Sequence, residues 1–228
     1  MYNVLRDVER LVDRFIDIIF MMILVIGLYY VYDSITVFNN SSVDNVIAYK
    51  PSRGETEILK ELSDDCIGWI TIYDSDVDYP LMQGKDNYEY LNKDAYGAYS
   101  LSGSIFLDSR NDKRFNDEYS LVYGHHMANN YMFGALDPFK DKAFFAKHRD
   151  GEIIIDGDYF EIDVFAYSVT DASEGIVFNP DTEADRLAWI RKNNEIFYEP
   201  RGSKIIALST CKSPLSTIRT IVFVSIVE

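Results

Sequence analysis

Two apolar runs near the C-terminus constrain the fold more than any other feature. Ile205-Ile206-Ala207-Leu208 leads into Ser209-Thr210-Cys211, and Thr220-Ile221-Val222-Phe223-Val224-Ser225-Ile226-Val227 begins directly after Arg219. Short runs rich in branched residues and bounded by polar ones read as buried strands. The first run delivers a thiol to the end of its strand, and a guanidinium opens the next. Cys211 and Arg219 therefore sit near the two ends of one strand-to-strand loop. Upstream, Leu121-Val122-Tyr123 is a further strand that Gly124 breaks, which leaves His125 on the turn that follows. A thiol, an imidazole and a guanidinium together supply a nucleophile, a proton donor and an oxyanion partner, the parts of an acyl-transfer site.

Other strands read as Trp69–Tyr73, Val77–Met82 (Pro80 marking an edge or an end), Ser104–Asp108 and Ser120–Tyr123. Glu152–Ile155 and Tyr159–Tyr167 form a hairpin around Asp156-Gly157-Asp158. Met132–Phe145 reads as short helical turns. Helical spacing is clearest at Thr182–Tyr198, with Thr182 as cap, Asp185 three residues on, and Pro200 beyond the end. Glu55–Leu62 is a second helical stretch, and Cys66 falls in its helix-like continuation, Glu57–Ile67, as a small buried apolar side chain. About eight strands with one long helix between late strands predict an α+β domain built on a closed or nearly closed barrel.

Phe15–Tyr32 is an 18-residue apolar stretch broken only by Asp17. It predicts a single uncleaved membrane anchor, with Tyr29, Tyr30 and Tyr32 at one interface. Arg6, Arg10 and Arg14 precede it and the next Lys or Arg is Lys50, so the positive-inside rule puts the N-terminus in the cytoplasm. The expected organisation is a cytoplasmic N-terminus (1–14), an anchor (15–32), a juxtamembrane segment (33–54) and an extracellular catalytic domain (55–228). The net charge of −15 argues against nucleic acid as a partner, since phosphate binding needs clustered Lys and Arg. Two cysteines are too few for a disulfide scaffold.

The ordered set of motifs resembles the sortases, membrane-anchored cysteine transpeptidases of Gram-positive bacteria. It comprises Tyr123-Gly124-His125, Leu208-Ser209-Thr210-Cys211 and Arg219. Gly68-Trp69-Ile70-Thr71-Ile72, the stretch Asp78–Asn87 and the stretch Ser102–Asn111 are similar to class B, as is a helix at Thr182–Tyr198. The resemblance covers roughly Glu55–Val227.

It implies that Cys211 attacks the threonine carbonyl of a C-terminal sorting signal, of the Asn-Pro-x-Thr type, on a secreted protein. His125 then acts as general acid and base, and Arg219 stabilises the oxyanion. A peptidoglycan cross-bridge or precursor amine resolves the thioacyl enzyme. Ser209 and Thr210 would line the substrate groove, with Tyr123 and Asp108 supporting the barrel beside it. No metal or other cofactor is expected. His126 is set aside because the family uses the histidine directly after the glycine, and His148 reads as a solvated surface residue. The competing readings are a pilin-polymerising sortase, a tethered thiol protease whose thioester water resolves, and a membrane-tethered binding domain.

Overall fold

A computed structural model describes residues 2–41, 46–52, 59, 61–183, 185–211 and 216–227. The chain divides into two compact units, Met1–Asn39 and Asn40–Glu228. The first is dominated by helix α1, Tyr2–Ser41. Within it, Val8–Val37 is 30 residues long, apolar enough to cross a membrane, and none of the window is buried. The helix thus runs past the expected 15–32 span on both sides, since neither flank carries a proline.

The second unit is a nine-stranded sheet closed on itself. Its strands are β1 (Cys66–Ile72), β2 (Asp78–Met82), β3 (Ile105–Leu107), β4 (Tyr119–Gly124), β5 (Asp150–Ile155), β6 (Asp158–Asp171), β7 (Ile196–Phe197), β8 (Ile205–Cys211) and β9 (Ile218–Ile226). The order β5-β1-β2-β3-β4-β8-β9-β6 closes through β5–β6 pairing, giving an eight-stranded barrel, and β7 adds to β6 outside the ring. β2–β3 and β4–β8 are parallel, while the other neighbours are antiparallel.

β9 shows why its sequence is apolar without alternation. It pairs with β8 on one side and β6 on the other, and Ile221, Val222, Phe223 and Val224 are all fully buried. Val222 and Val224 face the barrel interior with Leu208 and Val164. Ile221 and Phe223 face outward with Ala207 and Phe165, under Val177 and Ile190. Truncating Phe223 to Ala there costs about 3–5 kcal/mol. The β5–β6 hairpin turns through Asp156 (φ 51°) and Gly157 (φ 86°), the pair of positive φ angles that a two-residue type I′ turn demands. Pro80 pairs with Trp69 of β1, and β3 joins β2 only from Leu81 onward, so the missing N–H costs no ladder bond on that side.

Short helices cover the barrel: α2 (Lys142–Lys147), α3 (Gly175–Phe178) and α4 (Arg186–Lys192). The insertion between late strands is therefore helical, but α4 is much shorter than Thr182–Tyr198. The Asp185 carboxylate, not the Thr182 hydroxyl, caps it by accepting from Ala188 N at 2.9 Å. At the other end the Asn194 amide donates to the Ile190 and Arg191 carbonyls. The chain then leaves the helix and pairs Ile196 and Phe197 with β6, so these residues serve as strand rather than helix.

Cys66 opens β1 opposite Met82 instead of lying in a helix, and its thiol is only partly buried, because Asp64 and Asp65 form a turn before it. Of the helix expected at 55–62, residues 55–58 and 60 lie outside the described residues. Leu59 and Leu62 are buried beside Trp69 and Tyr90.

Candidate active site

Three neighbouring strands set the geometry of one barrel rim. β4 and β8 run parallel and both end there, while β9 runs antiparallel and begins there. Along this rim Tyr123 registers with Ser209, Gly124 with Thr210, and Cys211 with Arg219. His125 follows Gly124 directly. Residues 85 positions apart in sequence, 125 and 210, are thus brought to adjacent strand ends by pairing alone.

Gly124 has no room for a side chain. A Cβ there would lie 2.4 Å from Ile105 Cδ1 and 2.8 Å from the Phe133 ring. The close packing fixes the point at which β4 gives way to the turn bearing His125. His125 is held on both its parts. Its carbonyl accepts from Phe133 N at 2.9 Å, and Nε2 lies 2.8 Å from the Leu91 carbonyl oxygen. Leu91 ends a single helical turn, Glu89–Leu91, started by Asp86, whose Oδ1 accepts from the Tyr88 and Glu89 N–H groups.

Arg219 is half-buried, and its Nη1 donates to the Ser216 carbonyl at 2.8 Å. The chain entering β9 is tied to β6: Thr217 Oγ1 donates to Asp171 Oδ2 at 2.5 Å, and Ala172 N donates to the Thr217 carbonyl at 2.8 Å. The hydroxyls of Ser173 and Thr217, the Ser173 N–H and, more weakly, the Arg219 charge hold the Asp171 carboxyl well below its usual range, at about 2.

Ser209 and Thr210 are both buried, and both hydroxyls lack a hydrogen-bond partner among the described residues. Strand alternation puts them on opposite faces of β8. Ser209 shares the outward face of Ile205 and Ala207, and Thr210 the inward face of Ile206 and Leu208.

His126 is engaged elsewhere, with Nε2 2.9 Å from Asp137 Oδ2. His148 is not simply solvated. Its ring stacks on Phe144 at 3.8 Å and Nδ1 lies 2.7 Å from the Phe144 carbonyl, closing the end of α2. Among the described residues no group of three or more His, Cys, Asp or Glu side chains is arranged to hold a metal ion.

Two features of the site were not legible in the sequence. The Leu91 contact uses a backbone carbonyl 34 residues before His125, which leaves no side-chain signal. Around Asp108, Arg110, Asn87 and Tyr123 converge on one fully buried carboxylate; Asp108 and Tyr123 were expected to support the barrel beside the groove, whereas Arg110 and Asn87 were not singled out for it.

No protein-family model matches the chain. Sortase B of Staphylococcus aureus is 30% identical over 186 residues, which is 77% of this chain and 76% of that protein. Sortase B of Listeria monocytogenes is 32% identical over 166 residues, 70% of this chain and 68% of that protein. Among solved structures, a Streptococcus pyogenes class B sortase involved in pilus biogenesis superposes with a TM-score of 0.68 at 38% identity, covering 76% of this chain and 98% of that one. The closed barrel, the order of the rim motifs and these similarities have one reading: the chain belongs to the sortase B family of cysteine transpeptidases.

Proposed function

We propose that Cys211 is the nucleophile, His125 the general acid and base, and Arg219 the oxyanion partner of a transpeptidase that acts on C-terminal sorting signals. The observation that carries the reading is the rim register, which aligns Cys211 with Arg219, and Gly124, directly before His125, with Thr210, directly before Cys211. The Cys211 thiolate attacks the threonine carbonyl of an Asn-Pro-x-Thr type signal, forming a C–S bond. Arg219 stabilises the negative oxygen. His125 gives a proton to the departing amine as the C–N bond breaks. A wall cross-bridge amine then attacks the thioester, a new C–N bond forms as the C–S bond breaks, and the Cys211 thiolate is restored with His125 taking the amine's proton.

Ser209 and Thr210 directly precede the nucleophile on β8, and we assign both to the wall of the substrate groove beside it. α1 acts as a single-pass anchor with a cytoplasmic N-terminus and the barrel outside, in keeping with Arg6, Arg10 and Arg14 before the apolar window.

A second reading has its own support. The Streptococcus pyogenes relative is involved in pilus biogenesis, which favours a lysine of another secreted protein as acceptor. The test is transfer of a labelled sorting peptide by the barrel and its Cys211→Ala variant. Loss of both transfer and the covalent thioacyl adduct in the variant is expected, and retained transfer overturns the nucleophile. Supplying a cross-bridge peptide, a lysine-bearing protein or water alone as acceptor separates wall anchoring, pilus assembly and proteolysis.

A further inference from the structure

Asp108 is fully buried, yet it carries a charge-assisted network that reaches toward the rim from two sides. Its Oδ1 accepts from Arg110 N (3.0 Å) and Nε (2.9 Å), and its Oδ2 from Arg110 Nη2 (2.8 Å), Asn87 Nδ2 (2.8 Å) and the Tyr123 hydroxyl (3.2 Å). Burial alone raises such a carboxyl. The Arg110 fork, the Arg110 N–H and the Asn87 amide outweigh it and hold the group below the usual carboxylate range. The carboxylate is buried but the Arg110 side chain is 41% exposed, so solvent screens the pair and its net contribution to stability is small. What it supplies is position.

The two arms lead to the same residue. Tyr123 lies on β4 two residues before His125 and registers with Ser209. Asn87 begins the segment that ends at Leu91, whose carbonyl holds His125 Nε2. Asn87 is itself fixed, since its Oδ1 accepts from Ser109 N at 2.8 Å. On the far side Arg110 is braced by the barrel's inserted segment, donating to the Phe178 carbonyl and to Asn179 Oδ1, each at 3.2 Å. The guanidinium therefore cannot swing away from Asp108 without breaking contacts to the segment that carries α3.

The geometry points to the Asp108–Arg110 pair as a positioning element for His125, acting through Tyr123 on one side and through the Asn87–Leu91 segment on the other. Neither residue touches substrate in this scheme. They set the imidazole, and misplacement of a proton-transfer group by about 1 Å costs on the order of a hundred-fold in rate. The inference rests on His125 being the proton-transfer group of the proposed mechanism.

Arg149 provides a control away from the rim, because it also donates to a fully buried carboxylate, Asp163 at 2.7 Å, which Arg201 contacts as well at 3.1 Å. Peptide-transfer kinetics of the full-length chain compare wild type, R110Q, R110K, R149Q, Y123F, the double variant R110Q/Y123F and C211A, with thermal melts of each. R110Q is expected to lower kcat about ten-fold with KM changed less than about three-fold, while R149Q with an equal or larger loss of Tm keeps wild-type kcat. Arg110→Lys restores charge but not the fork, and stays low. The double variant loses less than the product of the single losses, since both act through one carboxylate. Equal kcat in R110Q and R149Q, or losses in R110Q and Y123F that multiply as independent sites do, overturns the positioning role. If instead C211A retains transfer, it is the proposed mechanism that fails.

Discussion

The Leu91 carbonyl oxygen and Nε2 of His125 are 2.8 Å apart, and this contact decides which imidazole nitrogen is free for proton transfer. A carbonyl only accepts, so Nε2 carries its hydrogen whenever the contact holds. The proton that His125 gives and takes in the proposed cycle is therefore the one on Nδ1. Nitrogen-15 spectra of the histidine-labelled protein should show the neutral form of His125 as the Nε2–H tautomer. His125→Ala removes one set of signals and makes the assignment. A neutral Nδ1–H tautomer at His125 sinks the prediction.

The legibility of the fold and of the site follows from where the information sits. β8 and β9 were readable because both faces of β9 are covered, so its apolar run is continuous. The β5–β6 turn was readable because Asp156-Gly157 is chemistry for two positive φ angles. The bounds of α4 were not. Thr182 and Asp185 both suit a cap, and only the bond from Ala188 N to Asp185 separates them. Ile196 and Phe197 fit a helix face as well as a strand, and it is tertiary pairing with Ala166 and Tyr167 that decides. Within the candidate site, Cys211, His125 and Arg219 stand out by residue type, whereas the contacts to the Leu91 carbonyl and the Thr217 hydroxyl leave no such signal.

Thr217 yields a prediction of its own. Its hydroxyl donates to Asp171, and the next residue but one is Arg219, whose guanidinium is turned onto the Ser216 carbonyl. Thr217→Val keeps the shape and removes the donor. Without the donor the strand entry that carries Arg219 is less firmly held, and kcat is expected to fall about five-fold. Thr217→Ser restores the donor and should restore the rate. Because Asp171 stays ionised down to about pH 2, the effect of Thr217→Val should be constant between pH 5 and 8. A Thr217→Ser variant as slow as Thr217→Val shows that the hydroxyl is not the operative group.

Stability should fall on the alkaline side, beginning with Cys66. Burial pushes its thiol from about 9 up to about 11, with a backbone hydrogen bond at Gly68 only partly opposing. Burial likewise raises the Tyr79, Tyr90, Tyr119, Tyr123 and Tyr167 phenols above their ordinary range. A group whose folded pKa is raised contributes fully below its unfolded value, and that contribution is lost as pH rises toward the folded one. For Cys66 the window is pH 9 to about 11, and a shift of this size is worth on the order of 2 kcal/mol. Urea denaturation at pH 8, 9.5 and 10.5 should show unfolding free energy declining in wild type, with a decline smaller by about 1–2 kcal/mol in Cys66→Ala. The tyrosines keep part of the slope in the variant, since their ordinary pKa of about 10 lies inside the same range. Parallel declines in the two proteins mean that the Cys66 thiol ionises as freely in the barrel as in the unfolded chain.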